Sequence, residues 1–189
     1  MRNLNAAEVQ SFDWSAAPDA RVLILGSMPG AESLRKRQYY GHPQNLFWGF
    51  MGRFFGAGPA LPYVERLRRL QTSGVALWDV AHRCRRPGSL DSSIESGSVE
   101  ANDFASLFAR CPGIHSVFFN GAKAAELFRR LVLPVLADAQ GGLCYEVLPS
   151  TSPANASIPF AAKLARWGAV KRAAARRRAH RPALPARAR

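Results

Sequence analysis

Cysteine is scarce in this chain: Cys84, Cys111 and Cys144 are the only three, and none is spaced as C-x-x-C. That excludes a disulfide framework, a zinc ribbon and a four-cysteine iron–sulfur site. His42, His82, His115 and His180 lack metal-ligand spacing, so no metal is expected. No apolar run approaches the roughly 20 residues of a membrane-spanning helix. The N-terminal MRNLNAAEVQSFDWS lacks the charged-then-apolar layout of a secretory signal, and a cytoplasmic protein is expected. G-x-G-x-x-G, G-x-x-x-x-G-K-[ST] and G-x-S-x-G are all missing. These absences exclude a dinucleotide fingerprint, a P-loop and a nucleophile-elbow hydrolase. Acidic residues are few as well, 13 against 26 Lys and Arg, for a formal net charge of +13.

The charge is unevenly placed. Lys171 to Arg189 holds eight Lys and Arg and no acid, leaving +5 for residues 1–170. A segment of Arg, Ala and Pro cannot bury enough apolar surface to fold alone. We therefore expect one domain over residues 1–170 and a basic, flexible tail over 171–189. The tail suits sequence-independent attraction to phosphates, or solubility alone.

The body alternates strand and helix patterns. Short apolar runs at Val22–Leu25, Gly74–Val80, Ile114–Phe119 and Leu143–Leu148 read as strands, the first two of them buried. Residues 45–55 carry apolar side chains at three- and four-residue intervals, and further helices are expected over 64–70, 102–110, 122–133 and 160–175. Leu90–Val99 favours neither pattern. The expected fold is a single-domain α/β/α sandwich around a four-stranded, mainly parallel sheet. In such a sheet, ligands bind where the loops leave the carboxyl ends of the strands. Those loops are 26–45, 78–89, 119–121 and 149–157. They hold Ser27, Tyr39, Tyr40, His42, Asn45, Asp79, His82, Asn120, Ser150, Thr151, Ser152 and Asn155. Rings beside Arg and Lys at a cleft suit nucleic-acid chemistry. A flipped base needs a ring to stack on and amides to read its edge. Residue by residue, plainer readings stand beside these: Asn45 and Asn120 as helix caps, Tyr39 and Tyr40 as loop packing, and His42 and His82 as structural or surface residues.

Taken together, LILGSMPG, YYGHPQNLFW and LPSTSPANA resemble the uracil-DNA glycosylase superfamily, and within it the hypoxanthine-DNA glycosylase (DNA-deoxyinosine glycosylase) branch. GVALWDV, CRRPGSLDSSI and VFFNGAKAAELF fit the same pattern, so the resemblance covers residues 20–170. It implies a monofunctional enzyme of base excision repair that hydrolyses the N-glycosidic bond of deaminated bases: hypoxanthine, uracil or xanthine. It implies DNA as partner, no cofactor, and a monomer. Gly26, Ser27 and Met28 fall in the motif lining the base pocket. Met28 stands where many members carry an Asp or Asn that orients water, and Asn45 then becomes the catalytic candidate. Tyr40 falls near a base-stacking aromatic. Asp79 falls where other branches read the base, so it reads the base or braces the loop. Asn120 joins the base-binding set, and Ser150, Thr151, Ser152 and Asn155 match the motif that grips the DNA backbone. Two other readings remain open: a non-catalytic nucleic-acid-binding module, which Met28 favours, and a nucleoside hydrolase, which the basic rim disfavours.

Overall fold

The apolar runs become strands and the amphipathic stretches become helices, with boundaries set by caps and glycines. A computed structural model describes residues 8–136 and 142–176. In chain order the elements are β1 (Glu8–Gln10), β2 (Val22–Gly26), α1 (Ala31–Lys36), α2 (Phe47–Phe55), α3 (Tyr63–Thr72), β3 (Val75–Asp79), β4 (Ala81–Arg85), β5 (Glu100–Ala101), α4 (Phe104–Arg110), β6 (Ser116–Asn120), α5 (Ala122–Leu131), β7 (Cys144–Leu148) and α6 (Phe160–Ala175). Two 3₁₀ turns, Asp91–Ser93 and Ser96–Ser98, occupy the stretch that favoured neither pattern.

The main sheet has the order β3-β2-β6-β7, and every neighbouring pair is parallel. Every residue of β2 and β3 is buried, which explains why both read as unbroken apolar runs rather than alternating ones. One face is covered by α4 and α5. There Trp78, Phe104, Phe128 and Phe119 form a chain of ring contacts with centroids 5.0–5.2 Å apart. On the other face Trp167 of α6 packs against Phe47 and Phe50 of α2. Helix α6 runs to Ala175 with Val170, Ala173 and Ala174 buried, past the boundary placed at 170. Residues 177–189 of the basic segment lie outside the described residues.

The structure adds a second sheet that the sequence reading lacked. Strands β1, β4 and β5 form a small antiparallel sheet in the order β1-β4-β5. Residues 82–89 were expected to be a basic loop, and 1–20 a plain lead-in. Instead residues 81–85 form β4, with a register shift between Ala81 and Arg83: Ala81 and Cys84 are buried, while Arg83 and Arg85 face solvent. Arg83 pairs there with Glu100 of β5 at 2.7 Å. Within the expected 26–45 loop, six residues form α1, ended by Arg37 in the left-handed conformation.

Candidate active site

The four strand-end loops do converge. Residues from 26–33, 39–45, 79, 89–92, 120–123 and 150–155 enclose a cavity of about 530 Å³ at the carboxyl edge of the main sheet. Of the residues expected at the site, Gly26, Ser27, Met28, Tyr40, Asn45, Asp79, Asn120, Ser150, Thr151, Ser152 and Asn155 all line it. His42 also lines it but is exposed, its Nδ1 accepting from the Gln44 N–H. His82 lies away from the cavity on β4, where its carbonyl accepts from the Ser11 N–H.

The glycine loop is shaped from beneath. Gly26 pairs with Asp79 across β2 and β3. A Cβ on Gly26 would lie 2.3 Å from Asp79 Oδ1, so only glycine admits that carboxyl group. Ser27 Oγ donates to Asp91 Oδ1 at 2.6 Å. Arg86, almost wholly buried, donates from Nη2 to the Pro29 carbonyl at 2.6 Å and from Nε to the Gly88 carbonyl at 3.1 Å. Met28 packs with Ala81, Cys84 and Ile94 in a small apolar cluster. A polar residue there would lose that packing, so Met28 anchors the loop to the small sheet while Ser27 and Asp79 supply the polar groups nearby.

Asn45 sits at the start of α2. Its Oδ1 accepts from the Phe47 N–H at 3.0 Å, so it caps the first turn from one residue before the N-cap position Leu46, and its own N–H donates to the His42 carbonyl. Capping and a place in the cavity therefore coincide: the cap bond fixes the amide group against the cavity wall.

Tyr39 is structural. Its hydroxyl donates to the Asp13 carbonyl at 2.9 Å, and only 3% of the residue is exposed. Tyr40 adopts a left-handed φ of 54°. Its ring stacks on Phe47 at 3.8 Å, so one face is already covered.

Asn120 does not cap α5. Its Nδ2 donates to Thr151 Oγ1 at 2.8 Å, and its Oδ1 accepts from the Thr151 N–H at 2.9 Å. The fully buried Thr151 passes this tie onward, because its carbonyl accepts from the Leu46 N–H at 3.0 Å. A continuous chain of hydrogen bonds thus runs from the end of β6 through the last loop to the residue beside Asn45. Thr151→Val keeps the side-chain volume and removes the hydroxyl. It is expected to leave the fold intact and to slow base release about tenfold, measured as a single-turnover rate, while Thr151→Ser restores it.

The loop over 149–155 is held from α6. Lys163 is 2% exposed and pairs with no carboxylate among the described residues; its ammonium donates to the carbonyls of Ser150 (2.8 Å) and Asn155. Trp167 Nε1 donates to the Pro149 carbonyl at 2.9 Å. Within the loop, Ser150 Oγ accepts from the Ser152 N–H and Ser152 Oγ from the Ala154 N–H. Sequence reasoning missed Lys163, since a lysine in a first helical turn reads as solvated. It missed Asp91 because LDSSI has no periodic pattern.

Burial raises the Asp79 carboxyl to about 7, opposed in part by the hydroxyl donated from Ser11 at 2.8 Å. Burial likewise raises Asp91 above the usual carboxylate range. Among the described residues, no group of three or more His, Cys, Asp or Glu is placed to hold a metal ion.

Comparison with known proteins agrees with this geometry. The family model of the uracil DNA glycosylase superfamily matches residues 12–171. The chain is 41% identical over 140 residues to a hypoxanthine DNA glycosylase of Methanosarcina acetivorans, covering 72% of this chain and 82% of that one. It is 40% identical over 118 residues to a hypoxanthine DNA glycosylase of Methanosarcina barkeri, covering 62% and 73%. The solution NMR structure of a candidate uracil DNA glycosylase from Methanosarcina acetivorans superimposes with a TM-score of 0.73 at 35% identity, covering 89% of this chain and 99% of that one. With the strand-end cavity, the glycine loop and the family match in agreement, the chain belongs to the uracil DNA glycosylase superfamily.

Proposed function

We propose that this protein is a monofunctional DNA glycosylase that removes hypoxanthine from DNA, with uracil and xanthine as further substrates. The observation that carries this reading is the fixed amide of Asn45 on the wall of a cavity built by the glycine loop and the 149–155 loop. The names of the Methanosarcina relatives support hypoxanthine first.

In this mechanism the nucleotide is turned out of the duplex and its base enters the cavity. As the N-glycosidic bond lengthens, the sugar gains positive charge and the base gains negative charge. A water oriented by Asn45 adds its oxygen to C1′. The bonding pair leaves with the base nitrogen, the water's surplus proton neutralises the base, and an abasic sugar and a free base result. Water placement supplies proximity, and donors to the departing base supply electrostatic stabilisation. No organic cofactor enters these steps. Lys163, the buried lysine nearest the loop, has its ammonium committed to two carbonyls, which supports hydrolysis without a lysine adduct. In this reading the enzyme acts as a monomer in the cytoplasm on DNA. The binding-module alternative rests on Met28, whose packing on the small sheet gives it a structural role in the loop.

The test is incubation with duplex oligonucleotides carrying one deoxyinosine, deoxyuridine or deoxyxanthosine, scored for abasic product. Product from deoxyinosine is expected; binding without product from any of the three would contradict the reading. The basic segment gives a second expectation. Ending the chain at Arg176 removes five arginines. That should lower the salt slope of DNA binding by up to about 4 and leave single-turnover base release at saturating enzyme nearly unchanged.

A further inference from the structure

Two polar groups at the floor of the cavity are left over when the internal hydrogen bonds have been assigned. Tyr40 Oη is buried and its hydroxyl donates to no acceptor; the Asn120 amide beside it interacts weakly with the phenol but makes its own hydrogen bonds to Thr151. Asp79 is 3% exposed, and Ser11 donates only to its Oδ2; Oδ1 accepts no hydrogen bond among those of the described residues. Both free oxygens flank one point. From the position a Cβ on Gly26 would take, Asp79 Oδ1 lies at 2.3 Å and Tyr40 Oη at 3.5 Å. A buried phenol that donates to no acceptor costs stability, and a buried carboxyl without an ion-pair partner costs more. Their persistence together in the cavity calls for a ligand that satisfies both.

We propose that the Asp79 carboxylic acid and the Tyr40 phenol form a donor pair for the carbonyl oxygen of the extruded base, O6 in hypoxanthine. This rests on the glycosylase reading and names how that site tells a deaminated base from its parent. Deamination replaces an exocyclic amine, which is a donor, with a carbonyl oxygen, which is an acceptor. Two donors at that position bind the carbonyl and leave the amine of adenine unpaired, a mismatch worth orders of magnitude in selectivity. The same donors stabilise the negative charge that gathers on the base as the bond breaks. No proton is transferred from either group; both remain donors throughout.

The neighbours of Asp79 favour the acid. Asp91 faces it with a second carboxyl, and Tyr39, Tyr40 and Tyr63 surround it with phenols; Arg86 and the Ser11 hydroxyl pull the other way. Burial outweighs them, so the acid persists up to about pH 7. Tyr40 is held well above its ordinary range by burial and the Asp79 charge, against a smaller opposing pull from the Asn120 amide, and stays protonated. The sign follows: activity is retained below about pH 7 and falls as Asp79 ionises, because a carboxylate beside the departing base opposes its charge.

The experiment is single-turnover base release from a deoxyinosine duplex between pH 5.5 and 8.5, with wild type, Asp79→Asn and Tyr40→Phe. The wild-type rate is expected to fall toward tenfold per pH unit above about pH 7. Asp79→Asn should keep at least a tenth of the wild-type rate at pH 6 and lose this fall. The Ser11 hydroxyl takes the amide oxygen, which places the NH₂ where Oδ1 was. Tyr40→Phe should lose about tenfold without a change in profile shape. Carboxyl ¹³C NMR of wild type should show Asp79 titrating in the same range as the rate. A flat or rising wild-type profile, or an Asp79→Asn profile that keeps the fall, overturns the donor pair and leaves the glycosylase reading standing. Failure of the glycosylase reading shows differently, as no base release from wild type at any pH.

Discussion

Asn45→Ala is expected to release base about 10²–10³-fold more slowly than wild type while binding duplex DNA with little change. The size of the effect comes from placement. The amide is fixed by the 3.0 Å bond from the Phe47 N–H, and Leu46 next to it is tied to Thr151. A water held by such a group is already oriented when the sugar becomes electrophilic. Alanine also removes the helix cap, which costs about 1 kcal/mol of stability and little activity. Asn45→Ser separates the two roles. Serine restores an oxygen at the cap position but cannot reach as far into the cavity. It should recover the unfolding midpoint and leave the rate low. Recovery of both in the serine variant would reduce Asn45 to a cap.

The second large effect is on stability. Trp167 is fully buried on α6, packs on Phe47 and Phe50, and donates to the Pro149 carbonyl. Trp167→Ala is expected to cost about 3–5 kcal/mol. That is a large part of the stability of a domain this size. The urea midpoint should drop accordingly, and folded protein should be recovered in poor yield. Trp167→Phe keeps most of the packing and loses the hydrogen bond, so it should cost much less. It should still loosen the 149–155 loop, read as weaker DNA binding at an unchanged unfolding slope. A Trp167→Ala cost below about 1 kcal/mol would show that α6 is not clamped to the core as described.

Much of this was readable beforehand for a simple reason. In VLIL, VALW and SVFF every side chain is buried, and a continuous apolar run flanked by loop residues has few other uses. Once those strands are parallel and adjacent, their exits must share an edge, which is why the cavity residues could be gathered from four distant stretches. The small sheet escaped notice because its order is carried by only three residues in β1 and two in β5. In β4 the exposed Arg83 and Arg85, and a register shift after Ala81, hide the buried Ala81 and Cys84. Side-chain roles were harder. Asn120 reads as a cap or a base reader; both of its amide atoms in fact serve Thr151, a partner 31 residues away. Met28 looked like a lost catalytic group because the apolar cluster beneath it comes from β4 and the 3₁₀ region, neither of which had been assigned. Lys163 carries no signal at all, since what buries it is the loop it holds.

The measurement that bears most directly on the central claim is the release of free hypoxanthine from a duplex with a single deoxyinosine. It is made under single-turnover conditions at pH 6, with wild type and Asn45→Ala side by side and DNA affinity recorded for both. The account predicts free hypoxanthine and an abasic strand from wild type, and a loss of two to three orders of magnitude in the variant at nearly equal affinity. Equal rates in the two proteins, or bound DNA with no free base from either, would contradict it.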